Sequence, residues 1–402
     1  MDAHTLPELG RKARAQLFGN ILPFWTGPAL DQEQGGWLAW MDNDGRIDRT
    51  QPKGLVVNSR ILWTFSAVHQ IEPNELYRQM ARRAFDFLRQ RFDDTRHGGA
   101  FWRIDGDGKV LDDNKKIYGQ AFYIYALAEY HRAFGEPAAL ERAREIFALV
   151  ERHAHDAQFA GYIEICRRDW SPAANSRLSE KDMDEKKSMN NHLHLLEAYT
   201  NLHGVWPDPL VAERLRELLR LFLDRIMQPD TGHFHHFFNE QWKPRSDSYT
   251  FGHDIEGSWL LYEAAEALGE APLLERVRAA ALGQAEAVLA EGLQPDGGLC
   301  YEGQAGRIID AGREWWPQAE AVVGFLNSYQ LGGDSRFLDA ADRAWNYIEQ
   351  YMVDKVHGDW FWRVHPDGRP DLRQPKVSEW KGPYHSARAC LQTMQRSRLL
   401  SS

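Results

Sequence analysis

The sequence predicts an all-α (α/α)6 barrel, a toroid of twelve helices with short β-hairpins gathered on the active-site face. Three observations carry this prediction. A hairpin signature recurs six times, helical patterns of two kinds flank each copy, and no Pro- or Ser-rich linker interrupts the 402 residues. The clearest copy is "RHGGAFWRIDGDGK" (96–109), where Gly and Asp supply turn conformations and an aromatic-rich run alternates at period two. Its relatives are "QGGWLAWMDNDGR" (34–46), "FAGYIEICRRDWSP" (159–172), "TGHFHHFFNEQWKP" (231–244), "DGGLCYEGQAGR" (296–307) and "HGDWFWRVHPDGR" (357–369). Their marker glycines, Gly36, Gly99, Gly161, Gly232, Gly298 and Gly358, are spaced by 63, 62, 71, 66 and 60 residues, so six diverged units fill the chain.

Before each hairpin stands a charged amphipathic pattern with apolar residues three and four apart, such as "NELYRQMARRAFDFLRQRF" and "PLVAERLRELLRLFLDRIM". That is the signature of an outer helix with one wet face. After each hairpin comes a less charged helix, predicted over 56–70, 117–134, 188–206, 251–268, 315–330 and 384–400. Apolar bodies of this kind suit inner helices packed on both sides. Six equal units without polar capping repeats favour closure over an open solenoid, and a single domain over 1–402 is expected. Each hairpin then connects an outer to an inner helix, and all six crowd one face.

Composition narrows the function. Acidic residues exceed basic ones, 58 against 48, which argues against a nucleic-acid partner. No run of eighteen apolar residues exists, so no membrane span is expected, and the polar start "MDAHTLPELGRKARAQL" lacks a signal-peptide core. Cys166, Cys300 and Cys390 show no CxxC spacing and read as reduced packing residues of a cytoplasmic protein. Aromatic residues make up 12% of the chain, which suits large cores and also suits a sugar site.

The starts of the inner helices point toward the hairpin face, and polar or aromatic groups stand at every one. They are Asn58 and Arg60; Tyr118 and Gln120; Asn190, His192 and His194; His253 and Glu256; Trp315, Trp316 and Glu320; Trp380 and His385. Imidazoles at equivalent starts converge on one axis, which favours chemistry over packing. His253 and Glu256, three apart on a helix, share a face and can hydrogen-bond. The carboxylate would favour the protonated ring and the helix N-terminus the neutral one, leaving His253 to titrate near neutral pH as a general base. His192 and His194, about 200° apart around a helix, cannot both face the axis.

Competing chemistries find less support. "HFHH" (233–236) and "HLH" offer imidazoles, but neither HExxH nor a two-His-one-carboxylate spacing occurs, so no metal is expected. Nucleotide motifs are missing as well. Glu256, Glu320 and Asp182 are carboxylate candidates for a glycosidase, yet the helix starts are richer in histidine than in acid, which points to proton transfer at carbon. A non-catalytic carbohydrate-binding toroid is the remaining rival.

"NNHLHLLEAYTNL", "FGHDIEGSWLL", "WWPQAEAVVGFLN" and "WKGPYHSARACL" resemble the N-acylglucosamine 2-epimerase superfamily, and within it the cellobiose-epimerising branch. The resemblance runs from "NSRILWTFSA" to the C-terminal helix. It implies an (α/α)6 barrel that epimerises C2 of a reducing-end sugar, in a β-1,4-linked disaccharide such as cellobiose or lactose, without cofactor. A mannose/glucose epimerase or an aldose–ketose isomerase of the same superfamily is the alternative. By motif position, the resemblance makes His194 the inward histidine, His253 and His385 the acid/base pair, and Glu256 the carboxylate supporting His253. Arg60, Tyr118, Asn190 and Asp182 match residues around the reducing-end sugar, and Trp316 and Trp380, with neighbouring Trp315, match stacking tryptophans. Glu379 stands where an aromatic is expected. A monomer binding only a small sugar is the expected state.

Overall fold

In the computed structural model, which describes residues 2–180 and 182–401, two concentric rings of helices form the chain. In chain order they are α1 (Asp2–Gln16), α2 (Leu22–Trp25), α3 (Leu55–Ile71), α4 (Glu75–Arg91), α5 (Ile117–Phe134), α6 (Pro137–His153) and α7 (Met189–His203). Then follow α8 (Pro209–Leu221), α9 (Phe251–Leu268), α10 (Ala271–Glu291), α11 (Trp315–Gly332), α12 (Ser335–Tyr347) and α13 (Tyr384–Leu400). A π turn over Leu17–Ile21 joins α1 to α2 as one outer helix, so among the described residues the helices of the two rings number twelve, as the repeat predicts. The inner ring closes in the order α3, α5, α7, α9, α11, α13 and back to α3. On the outside α4, α6, α8, α10 and α12 back the inner helices in turn, and α1 packs on α13 to complete the circle.

The two rings differ as their sequences do. Leu55 to His69 of α3 are all buried, whereas α4 buries only Ala81, Ala84, Phe85, Phe87 and Leu88. Gly135, Gly269 and Gly333, each in the left-handed conformation, stop α5, α9 and α11. Pro137 and Pro209 open the outer helices α6 and α8 at positions where the missing N–H costs nothing.

The hairpins recur as predicted, but their extended pairing is shorter and joins neighbouring units. Each tip closes through one bridge: Leu30 to Trp37, Asp93 to Ala100, His155 to Tyr162, Met227 to Phe234, Leu293 to Leu299 and Val353 to Trp360. Beyond the tips, the residues leading into each inner helix pair with the next unit's hairpin, as Lys53 does with Ile104 and Lys187 with Phe238. A bridge from Met41 to Val377 seals the last unit to the first. In the fifth unit the positive φ, 87°, falls on Gly297, one residue before the marker Gly298.

Ion pairs tie four of the six tips down. Asp31 meets Lys53 at 2.7 Å, Asp94 meets Lys115 at 2.9 Å, Asp156 meets Lys187 at 2.8 Å, and Asp354 meets Lys376. Each of the first three lysines stands two residues before an inner helix. The inner helix adds a second tie at its fourth residue. Gln120 exchanges two 2.9 Å hydrogen bonds with Ala100, Gln318 does the same with Leu299 at 2.7 and 2.9 Å, and Asp254 accepts from Phe234 N at 2.9 Å. Glycine makes this approach possible: a Cβ on Gly99 would stand 2.9 Å from Gln120 Oε1 and 2.6 Å from Trp170.

Candidate active site

The fourth-residue rule separates His192 from His194 on α7. His192 occupies that position, accepts from Tyr162 N at 2.9 Å through Nε2, and bonds Ser188 O through Nδ1 at 2.7 Å. Both ring nitrogens are spent on the hairpin, and burial pushes its pKa down to about 3. His194, two residues on, is free to face the barrel axis.

On one side of the axis Arg60 donates to Tyr118 Oη at 3.0 Å and lies over the Phe122 ring at 4.2 Å. Burial pushes the Tyr118 hydroxyl up to about 12, so it stays a neutral donor. Its ring meets His194 edge-on at 5.1 Å and Trp380 at 6.4 Å. On the other side the Trp316 ring lies 4.7 Å from His253 and 5.8 Å from His385. Seven of the expected residues (Arg60, Tyr118, His194, His253, His385, Trp316 and Trp380) thus come together.

Each axial histidine is held by Nδ1, and Nε2 is the ring nitrogen left over. His194 Nδ1 meets Glu197 Oε2 at 2.8 Å, and His385 Nδ1 meets Glu320 Oε1 at 2.7 Å. His253 differs from expectation. Its Nδ1 bonds Thr250 Oγ1 at 2.6 Å, while Glu256 Oε1 accepts from Arg388 Nη2 at 2.5 Å. Three-residue spacing put Glu256 on the right face, but the guanidinium of α13 captures it and the hydroxyl just before α9 takes the ring. With no carboxylate partner, His253 does not titrate near neutrality. Burial and the neighbouring His236, His194 and His385 hold it well below the usual imidazole range. Burial also lowers His385, with Arg60 and Arg388 adding to it.

Below the histidines lies a charge cluster. Arg388, 1% exposed, donates to Glu197, to Glu256, to Glu320 at 2.7 Å and to Tyr384 Oη. Burial and the neighbouring Glu320 raise Glu256 to about 7, and burial raises Glu320 as well. Glu197 is the ionised member: against its burial, Arg388 and then His194 bring it down to about 2. Glu256, Glu320 and His385 could together offer three ligand atoms within 4.8 Å, but Arg388 Nη2 already takes the place of a cation between the two carboxylates. The "HFHH" imidazoles do not gather. His233 is spent on Asp254 at 2.7 Å and Glu291 at 3.3 Å, and His236 accepts from Thr250 N at 3.2 Å.

The other expected residues sit further out. Asn190, second in α7, keeps a buried Oδ1 without a protein partner. Trp315 is buried one layer back, against Trp362 at 4.8 Å and 6.4 Å from His385. Asp182 ties its own loop, accepting from Ser179 N and Oγ at 2.7 Å, and its charge is felt by Lys116 and Glu164. Glu379 forms a two-pronged ion pair with Arg103 at 2.6 Å, beside Trp380. Glu197, Thr250, Tyr384 and Arg388 escaped the reading of the sequence. Glu197 alone had a signal there, since "HLLE" repeats the three-residue spacing of "HDIE".

A closed double ring of helices with imidazoles, carboxylates and tryptophans at one mouth of its axis defines an (α/α)6-barrel protein built for proton transfer. Residues 36–389 match the family profile of N-acylglucosamine 2-epimerase (GlcNAc 2-epimerase). The chain belongs to this family. It is 40% identical over 387 residues to cellobiose 2-epimerase of Bacteroides fragilis, covering 96% of this chain and 98% of that one. Identity to cellobiose 2-epimerase of Dictyoglomus turgidum is 37%, over 94% and 96% of the two chains. The solved cellobiose 2-epimerase of Bacillus thermoamylovorans B4167 superposes with a TM-score of 0.93 at 36% identity, over 97% of this chain and all of that one. The protein is therefore a carbohydrate epimerase, an isomerase by reaction class. Among the described residues, no helix is long and apolar enough to cross a membrane.

Proposed function

We propose that the protein inverts C2 of the reducing-end glucose of β-1,4-linked disaccharides, cellobiose and lactose, through a ring-opened cis-enediolate. The observation that carries this is the pair His253 and His385 beside the Trp316 ring, each imidazole held by Nδ1. Inversion at one carbon takes a base on one face and an acid on the other. His253, neutral and anchored by a hydroxyl, is suited to remove the C2 proton. His385 is backed by a carboxyl raised by burial, so Glu320 can pass a proton to Nδ1 as Nε2–H gives one to C2. When the substrate is the other epimer the roles exchange. Arg60 and His194 would stabilise the oxygen that becomes negative in the enediolate, the part a preorganised donor plays best. The buried free thiols of Cys166, Cys300 and Cys390 support a cytoplasmic setting.

Incubation with cellobiose in heavy water, read by anomeric-proton NMR, tests this directly. Imidazole protons exchange with water, so epimerised product should carry deuterium at C2 and nowhere else on the ring. Label at C1 of a ketose would assign the enediolate to an isomerase. Release of glucose would mark a glycosidase, and epimer that retains its C2 hydrogen would contradict the two-base scheme.

Activity is also expected to survive prolonged EDTA treatment, because Arg388 supplies the positive charge that the carboxylates need. Loss on chelation with rescue by a divalent ion would overturn that expectation.

A further inference from the structure

We propose that Arg388 is a positioning residue of the reaction, a single guanidinium that sets the orientation and charge of two histidine–carboxylate pairs at once. The inference rests on the epimerase reading above. Its geometry is specific. Glu197 of α7 uses Oε1 for Arg388 and Oε2 for His194, so the same carboxylate joins the guanidinium to one axial imidazole. Glu320 of α11 uses Oε1 for both Arg388 and His385, joining it to the second. Glu256 of α9 spends Oε1 on Arg388 and leaves Oε2 buried without a partner.

Arg388 cannot drift from this position. Its guanidinium lies 4.7 Å from the Trp259 ring and 4.3 Å from the Tyr384 ring, and Trp259 Nε1 in turn donates to Glu320 Oε2 at 3.1 Å. The charged and titratable groups around it come from the whole inner ring. They are Glu197 and His194 from α7, Glu256 and Glu263 from α9, Glu320 from α11, and Tyr384 and His385 from α13, with Tyr125 of α5 and Arg60 of α3 acting through space. Three carboxylates face one guanidinium: Glu197 is its ionised partner, while burial raises both Glu256 and Glu320. Planar, always charged and forked, arginine can bond several carboxylates in one plane, which an ammonium cannot.

The test is Arg388→Lys and Arg388→Met in the full-length enzyme, with kcat, KM and kcat/KM for cellobiose followed from pH 5 to pH 9. Arg388→Met is expected to lose about 100-fold in kcat with KM within about threefold, the pattern of an interaction used after binding. Its acid limb should move to higher pH, because Glu197 and Glu320 lose the cation that favours their ionised forms. Arg388→Lys keeps the buried charge, and with it the fold, but not the fork. It should recover part of kcat, about tenfold over Arg388→Met, and show a smaller shift in the same direction. A lysine variant with the parent's kcat and pH profile would overturn the proposal, whether or not the methionine variant folds. Absence of C2 epimerisation by the parent enzyme would instead overturn the reading on which it rests.

Discussion

Alanine at His253 or at His385 is expected to remove turnover of cellobiose by about 1,000-fold or more, while sugar binding remains measurable. General acid–base catalysis contributes roughly 10²–10⁴-fold, and loss of either imidazole leaves one face of C2 without a proton donor or acceptor. Binding should persist because Arg60, Tyr118, Trp316 and Trp380 are untouched. Trp316 offers the readout: its ring lies against both histidines, so quenching of its fluorescence can follow binding in an inactive variant. Turnover within tenfold of the parent in either variant would remove that histidine from the acid/base pair. Thr250→Val makes a finer cut, since it removes the hydroxyl that holds His253 Nδ1 without touching the ring. A smaller loss, about tenfold, is expected there, carried by kcat.

The second large effect concerns stability. Lys53→Met is expected to cost about 3–5 kcal/mol, read as a drop in the urea midpoint, because it leaves Asp31 buried and without its ammonium partner. Asp31 is 0% exposed and Lys53 1%, at 2.7 Å from each other, with Lys53 also donating to Gly35 O and Trp37 O. Against its burial, the Gln34 amide and the Lys53 ammonium hold the Asp31 carboxyl below the usual range. Its contribution is therefore present above the unfolded value near 3.8 and fades as pH falls through the lower folded value. The double variant Asp31→Asn with Lys53→Met should regain much of the loss, since no unpaired charge is then buried. If Lys53→Met alone costs less than about 1 kcal/mol, the pair does not hold the hairpin.

These two expectations draw on different kinds of information. Inner and outer helices, their six-fold alternation and the hairpin between them were legible because each depends on local patterning. Spacing of apolar residues separates a helix wetted on one face from one buried on both, and Gly–Gly tips mark turns whatever surrounds them. The family motifs lie on those same helix starts, so Arg60, Tyr118, His194, His253 and His385 could be named from the chain alone, together with the barrel that gathers them.

What stood beyond the sequence was partnership. On a helix, His253 and Glu256 look like a pair, and only the closed ring, which brings Arg388 of α13 to Glu256 of α9, shows Arg388 taking Glu256 away. Helix phase alone left His192 and His194 open; the family motif named His194, and the Tyr162 amide that claims His192 supplies the physical reason. Asp31 and Lys53 are separated by 22 residues and Arg388 and Glu197 by 191, so no local period links them. Sequence determines which face of each helix is apolar and which residues stand at its start, because those follow from a period of 3.6 residues and from local turn chemistry. The tertiary structure alone decides which buried charge meets which. In a dry interior an unpaired charge is costly, and the closing of the ring settles which of several candidates comes within 3 Å.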